Sequence, residues 1–170
     1  MRQMLALLSL ILTAACGNGT VTASDGSGSG GISDATLSAA ARQTSGWTYY
    51  KLRPDTLVRA QSSGHSEARL RTRYNAIAAA LLDASGKVRP GASFPDSSLI
   101  VKELLVGNRL SRYAVMYKLR GSPNAGTGGW LWAYYAPDGS TQIGIGARGA
   151  SCISCHASGI DQTRMNDSHP

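Results

Sequence analysis

Hydrophobic and polar residues alternate along several stretches of the chain, which predicts β-strands. Residues 68–74 alternate strictly. The inward set is expected to be Ala68, Leu70, Thr72 and Tyr74, and the outward set Arg69, Arg71 and Arg73. Further strands are predicted at residues 99–106, 113–119, 130–135 and 141–145. The pattern therefore favours a sheet of four or five strands.

Helical patterns are fewer and shorter than strand patterns. Residues 36–42 are rich in Ala and predict one short helix, and Asn75 is placed to cap a second helix that runs from Ala76 to about Ala84, with Gly86 ending it. The expected class is α+β, with a mainly antiparallel sheet and one or two short helices. Residues 35–170 are long enough for one domain, and no second linker divides them.

Two charged residues interrupt the most apolar of the predicted strands. Residues 99–106 are apolar on both faces, which is typical of a strand at the centre of a sheet, yet Lys102 and Glu103 lie in the middle. A charge buried there is costly unless it is paired or used. One interpretation is a bulge or an edge where both side chains reach solvent; the other is a functional site.

Near its C-terminus the chain reads Cys152-Ile153-Ser154-Cys155-His156, the attachment motif of haem c. The two thiols form thioether bonds with the haem vinyl groups, and the histidine supplies an imidazole nitrogen to the iron. A thioredoxin-like dithiol does not need the histidine, and a structural zinc site needs further ligands, which His65 and His169 do not supply as a pair. We therefore expect one covalent haem c per chain, with His156 as the metal ligand.

The N-terminus predicts export. Residues 1–15 combine Arg2 with a short apolar run, as in a signal peptide, and Cys16 follows a box that resembles a bacterial lipoprotein cleavage site. Residues 16–34, rich in Gly and Ser, predict a flexible tether. A lipidated Cys16 would anchor the protein on the periplasmic side of a bacterial membrane; the alternative is a soluble periplasmic protein.

Charge adds little to this interpretation. The formal net charge is +7, and loss of Arg2 with the signal peptide leaves +6. A basic domain can favour anionic partners or lipid headgroups, but nucleic acid is not an expected partner of an exported haem protein.

The position of the motif separates this chain from common electron-transfer cytochromes. Those are helical, with the motif near the N-terminus and a methionine ligand far downstream, whereas only fourteen residues follow His156 here. Met116, in a predicted strand, and Met165, in a polar tail, are the mature methionines. An open sixth iron position is therefore favoured; the alternative is a membrane-tethered c-type electron-transfer cytochrome.

Four features between His65 and His156 resemble the cytochrome P-460 family, including its beta-type cytochrome c-prime relatives. They are Arg73-Tyr74-Asn75 before an Ala-rich helix, Phe94-Pro95-Asp96 followed by Leu99-Ile100-Val101-Lys102-Glu103, Met116-Tyr117-Lys118 leading to Gly128-Gly129-Trp130, and the C-terminal haem motif. The resemblance implies a mainly antiparallel β fold, a haem c with an open distal side, a small-molecule ligand or substrate, a redox partner cytochrome and, in many members, a homodimer.

The resemblance also gives Lys102 a role. It matches a lysine bonded to the haem in hydroxylamine-oxidising members, but the c-prime relatives keep the fold without this bond, so both alternatives stay open. Residues 140–151 contain no Asp or Glu that could accept a proton during such an oxidation. Phe94 is either an apolar distal wall, which favours nitric oxide binding, or a core residue. One of the three arginines in residues 68–74 is also a candidate for a haem propionate.

Overall fold

A seven-stranded antiparallel sheet forms the centre of the structure, a computed structural model that describes residues 31–164. Its strands are β1 (Thr48–Tyr49), β2 (Leu57–Val58), β3 (Arg69–Tyr74), β4 (Leu99–Val106), β5 (Arg109–Lys118), β6 (Trp130–Tyr135) and β7 (Thr141–Ile143). The helices are α1 (Asp34–Ala41), α2 (Ala76–Ala79) and α3 (Ile153–His156). The predicted mainly antiparallel α+β class is confirmed.

The strands lie in the order β1-β3-β4-β5-β6-β7. Strand β2 pairs with the first residues of β3, which β1 does not reach. Strand β4 is therefore central, between β3 and β5, and seven of its eight residues are buried. This position excludes the interpretation in which Lys102 and Glu103 reach solvent at an edge. The register shift in β4 lies beyond them, between Leu104 and Leu105.

The two faces of the sheet are covered differently. Helix α1 packs on one of them, called the helix face, over a core that includes Leu37, Val101, Val115 and Leu131. The opposite face, called the pocket face, carries Tyr74, Ile100, Met116, Trp130 and Trp132. Successive side chains of a strand point to opposite faces, so Lys102 belongs to the pocket face and Glu103 to the helix face.

Three predictions about local structure need correction. Helix α2 ends at Ala79 rather than near Ala84, because Asp83 forms a turn in which its carboxylate accepts from the backbone N–H groups of Ser85 and Lys87. Strand β5 begins at Arg109, four residues before the predicted start, and β7 ends at Ile143. The predicted cap is confirmed: the Asn75 side chain accepts from the Ala78 N–H at 2.9 Å.

Arg73 does not face outward as the alternation predicted. Its side chain is 3% exposed and lies on the helix face, where its guanidinium donates to the carbonyl oxygens of Ala41, the last residue of α1, and of Gln43, two residues further on. A cation is favourable there because the last carbonyls of a helix carry partial negative charge. The outward face of β3 is therefore covered by the N-terminal helix rather than by water.

No helix within residues 31–164 is long and apolar enough to cross a membrane. The predicted signal peptide, the lipidation site at Cys16 and most of the tether lie outside the described residues, as does Met165.

Candidate functional site

A pocket lies between the pocket face of the sheet and residues 151–164, here called the C-terminal segment. The space between them, including the open mouth of the pocket, is about 750 Å³. Strands β4, β5 and β6 contribute one wall, and the C-terminal segment contributes the other. Lys102, Cys152, Cys155 and His156 all line this pocket. The fold thus brings Lys102 to the same pocket as the motif, which the sequence singled out separately from it.

The two motif cysteines lie at the start of α3 and within it. Cys152 caps the start of α3 and is partly buried, whereas Cys155 is exposed, and both thiols are free. Residues three apart in a helix lie on the same side, so both sulfurs can reach one ligand. Gly149 allows this turn to approach the sheet, because a Cβ at that position would overlap the Trp132 indole. Burial raises the pKa of the Cys152 thiol.

His156 is oriented by a neighbouring backbone carbonyl. Its ring Nδ1 lies 2.7 Å from the carbonyl oxygen of Gln162, and its ring meets the Trp132 indole edge to face at 4.8 Å. A carbonyl oxygen only accepts, so Nδ1 carries the hydrogen and the lone pair of the imidazole lies on Nε2. This tautomer is the one that a metal-ligating histidine commonly adopts.

The carbonyl of Gln162 belongs to a tight loop that is anchored to the sheet. Asp161 and Gln162 have positive φ angles of 45° and 66°, which cost about 1–2 kcal/mol per residue for side chains other than glycine. The Asp161 carboxylate compensates by accepting from Lys118 Nζ at 2.8 Å and from the Phe94 N–H at 2.7 Å. The Trp130 indole N–H donates to the Asp161 carbonyl oxygen at 2.9 Å.

Lys102 is the least expected group in the pocket. Its side chain is 6% exposed, and within residues 31–164 its ammonium has no hydrogen-bond or ion-pair partner. Burial, together with the positive charge of Arg164, lowers the pKa of Lys102 to about 8. No Asp or Glu of the described chain lines the pocket, so nothing there offsets these two cations.

Glu103, next to Lys102 in sequence, has a different environment. Its carboxylate accepts from Arg71 Nε at 2.6 Å and lies 3.2 Å from Arg73 Nη2 on the helix face. Glu103 therefore lies on the face opposite Lys102 and cannot act as a base in the pocket. The arginines are on the wrong face as well, because Arg71 and Arg73 pair with Glu103, and Arg69 donates to Thr56.

Sequence reasoning missed a polar cluster at the side of the pocket. His65 Nδ1 and the Tyr134 hydroxyl lie 3.0 Å apart, and the Arg112 guanidinium stacks over the Tyr134 ring while it pairs with Glu67 at 2.6 Å. Burial, and then the nearby Cys152, raise the pKa of Tyr134 to about 12. Alternation within residues 130–135 placed Tyr134 beside Trp132, but no signal in the sequence linked either residue to His65.

Two other candidates are now located. Met116 lies on the pocket face, is 8% exposed and lines the pocket, so it is both a core residue and a wall of the site. Phe94 is fully buried against Trp130 at a centroid distance of 5.6 Å and does not line the pocket. The core interpretation of Phe94 is the one that agrees with the structure.

The pocket contains polar groups that call for an acceptor. The Trp132 Nε1–H is buried with no hydrogen-bond partner in the described chain, and the Lys102 ammonium also has none. Both groups border an otherwise largely apolar wall that includes Ile100, Ala114 and Met116. A flat, mostly apolar ligand with oxygen acceptors would satisfy them, and haem has this chemistry. The donor set, two thiols and an Nδ1-protonated imidazole, fits haem c.

Searches of protein-family models, curated proteins and solved structures found no match to this chain.

Proposed function

We propose that the protein is an exported c-type haem protein that binds small nitrogen compounds, with nitric oxide and hydroxylamine as the expected class. The observation that carries the proposal is that the Cys-x-x-Cys-His motif and the buried Lys102 line a single pocket. The resemblance to the cytochrome P-460 family agrees with this arrangement. Cys152 and Cys155 would hold the haem, and the imidazole of His156 would be its axial ligand.

When bound, haem supplies an iron that can bind small ligands or exchange electrons. The side chains of this chain determine which of the two dominates. Ile100, Ala114 and Met116 give the pocket an apolar wall, and Lys102 places an ammonium of lowered pKa close to the ligand space. Such a lysine gives up its proton more easily than an exposed one.

Ligand binding is better supported than oxidation. Oxidation of hydroxylamine releases protons, and a carboxylate near the reacting atoms would accept them. Within residues 31–164 no carboxylate lines the pocket, and the carboxylate nearest to Lys102 in sequence, Glu103, points to the other face. Oxidation would have to use His65 or Lys102 as the proton acceptor, because the raised pKa of Tyr134 keeps its hydroxyl protonated.

One observation favours a second function, electron transfer. Met116 lines the pocket, and a thioether that closes the sixth iron position is typical of electron carriers. The tethered electron-transfer cytochrome therefore remains the alternative.

The absorption spectrum of the purified protein, with and without carbon monoxide, separates these functions. A high-spin spectrum that changes on addition of carbon monoxide or nitric oxide supports ligand binding. A red-shifted ferrous band that is lost in Lys102→Arg but retained in Lys118→Arg indicates a lysine–haem bond and supports oxidation. A low-spin spectrum that does not respond to carbon monoxide, and becomes high-spin in Met116→Leu, assigns the protein to electron transfer.

The attachment itself is tested by the mass of the intact protein and by its pyridine haemochrome spectrum. Cys152→Ala and Cys155→Ala should each leave one thioether, and the double variant should leave none. Ser154→Ala, in the exposed spacer of the motif, is the matched control and should bind haem normally. His156→Ala should keep the thioethers but alter the spectrum. If the wild-type protein acquires no haem when it is exported with a working attachment system, the proposal is wrong.

Membrane location is part of the same proposal. Cys16→Ser should release the protein from membranes into the soluble periplasmic fraction if Cys16 is lipidated. A wild-type protein that is already soluble in that compartment would point to ordinary signal cleavage instead.

A further inference from the structure

The loop at residues 160–163 is fixed to the sheet by contacts on both of its sides. Lys118, at the end of β5, is 1% exposed, and its ammonium contacts both carboxylate oxygens of Asp161 at 2.8 Å. The Trp130 indole donates to the backbone oxygen of Asp161, and its ring lies 4.7 Å from Lys118 Nζ. Asp161 is therefore held through its side chain and its backbone at once.

The same loop contacts the imidazole of His156. The residue after Asp161 is Gln162, and its carbonyl oxygen accepts from His156 Nδ1 at 2.7 Å. Both residues have positive φ angles, a conformation that a chain without glycine leaves when its anchors are removed. The direction of the Gln162 carbonyl thus depends on how firmly Asp161 is held.

We propose that the Lys118–Asp161 ion pair is a positioning device for His156, which holds the Gln162 carbonyl against Nδ1–H and thereby sets the basicity of the axial ligand. This inference rests on the proposed function, since it requires that His156 ligates the haem iron. A carbonyl held on the far nitrogen makes an imidazole a stronger donor, which favours ferric over ferrous iron and lowers the reduction potential.

Neither Lys118 nor Asp161 lines the pocket, so the pair acts through the loop and not by touching the ligand. Its role differs from plain loop stabilisation in one respect. A merely structural pair would change the unfolding temperature alone, whereas a positioning pair also changes the iron–histidine bond and the potential.

The test uses the haem-loaded full chain and three variants. Asp161→Asn removes the charge, Lys118→Arg retains the ion pair, and Trp130→Phe removes the indole donor to the Asp161 carbonyl while it keeps an aromatic ring at this position. The matched control is Asp96→Asn, which removes the exposed Arg120–Asp96 pair, 2.9 Å long, without touching the loop. The measurements are the midpoint potential and the iron–histidine stretching band of the ferrous protein by resonance Raman spectroscopy.

A tenfold loss of preference for ferric iron corresponds to a rise of about 59 mV in the one-electron midpoint potential. We expect Asp161→Asn to raise the midpoint potential by an amount of that order. The iron–histidine band should move to lower frequency in Asp161→Asn and, by less, in Trp130→Phe. Lys118→Arg and the control Asp96→Asn should both keep the wild-type midpoint potential and band position.

Unchanged potential and band position in folded Asp161→Asn and Trp130→Phe would overturn the proposal. If Asp161→Asn does not fold, Trp130→Phe decides it by the same two measurements. Failure of the proposed function looks different: the wild-type protein would then show no covalent haem, or a spectrum that does not depend on His156.

Discussion

Lys102 and Glu103 are neighbours on the central strand, both are about 5% exposed, and they have opposite environments. Glu103 has two arginine partners on the helix face, while Lys102 has none in the described chain on the pocket face. The cost of burying a charge is offset when the charge has partners of opposite sign, whereas a buried charge without such partners lowers the stability of the protein. The comparison teaches that the buried charge on the helix face is paired within the protein, whereas the pocket face leaves an ammonium for which the proposed ligand would have to supply an acceptor.

The largest expected effect comes from removing the partnered charge. Glu103→Ala leaves the buried Arg73 guanidinium without its carboxylate, which should lower the free energy of unfolding by about 3–5 kcal/mol. Urea denaturation followed by circular dichroism measures this change. Asp96→Ala, at an exposed ion pair, is the control and should cost about 1 kcal/mol or less. A loss for Glu103→Ala as small as that of the control would remove the distinction between the faces.

Removing the unpartnered charge should have the opposite sign. The pKa of Lys102 falls from its ordinary value of 10.5 to about 8, which at 1.36 kcal/mol per pKa unit corresponds to a cost of about 3 kcal/mol at neutral pH. Lys102→Met should therefore stabilise the haem-free protein by up to about that amount, as measured by urea denaturation.

The matched control for this prediction is the other buried lysine. Lys118 is paired with Asp161, so Lys118→Met should destabilise the protein. If both lysine variants shift stability in the same direction, the presence or absence of an ion-pair partner does not explain the difference between the two lysines.

The pH dependence of stability follows from the same shift. Between pH 8 and 10.5 the unfolded chain holds a proton on Lys102 that the folded chain has lost. The free energy of unfolding should therefore rise with pH across this window, by at most about 1.4 kcal/mol per pH unit, and the full cost is present below pH 8. Denaturation of the haem-free protein at several pH values measures the slope. Subtraction of the Lys102→Met curve isolates it from other groups, and a zero difference would contradict the lowered pKa.

The smallest effect is expected at the edge of the partnered cluster. The Arg71 side chain is 32% exposed, and Glu103 keeps Arg73 when Arg71 is replaced. Arg71→Met should cost about 1 kcal/mol, and the cost should shrink in high salt because water and ions screen the pair. A salt-independent loss of 3 kcal/mol or more would show that Arg71, rather than Arg73, is the main partner of Glu103.

Much of the fold could be predicted from the chain because its signals are local. Alternation and apolar runs predicted the ends of β3, β4 and β6 to within a residue or two, and Asn75 predicted the start of the helix that follows it. The same rule failed for Arg73, since alternation says which residues share a face but not what covers that face. Helix α1, thirty residues earlier, supplies the cover.

The candidate site was predictable only where neighbouring residues in the sequence identify the functional group. The haem motif and a lysine inside an apolar strand stand out by themselves, and the structure brings them to one pocket. His65 and Tyr134 are ordinary residues until folding places them 3.0 Å apart. Asp161, in what looked like a short tail, gains its role only from Lys118 and Trp130, both more than thirty residues away.

The C-terminal segment adds no strand to the sheet, and its bridge, between Ile160 and Thr163, is internal. Its attachment to the strands relies on side chains such as Lys118 and Trp130. The segment can therefore lift away without breaking a single ladder of the sheet, as a local unfolding event. Strands β3 to β6 each pair with their neighbours in the chain, so the sheet can form first. Under the proposed function, haem attachment would then require only this segment to open, because both cysteines lie on it and the sheet would already be formed.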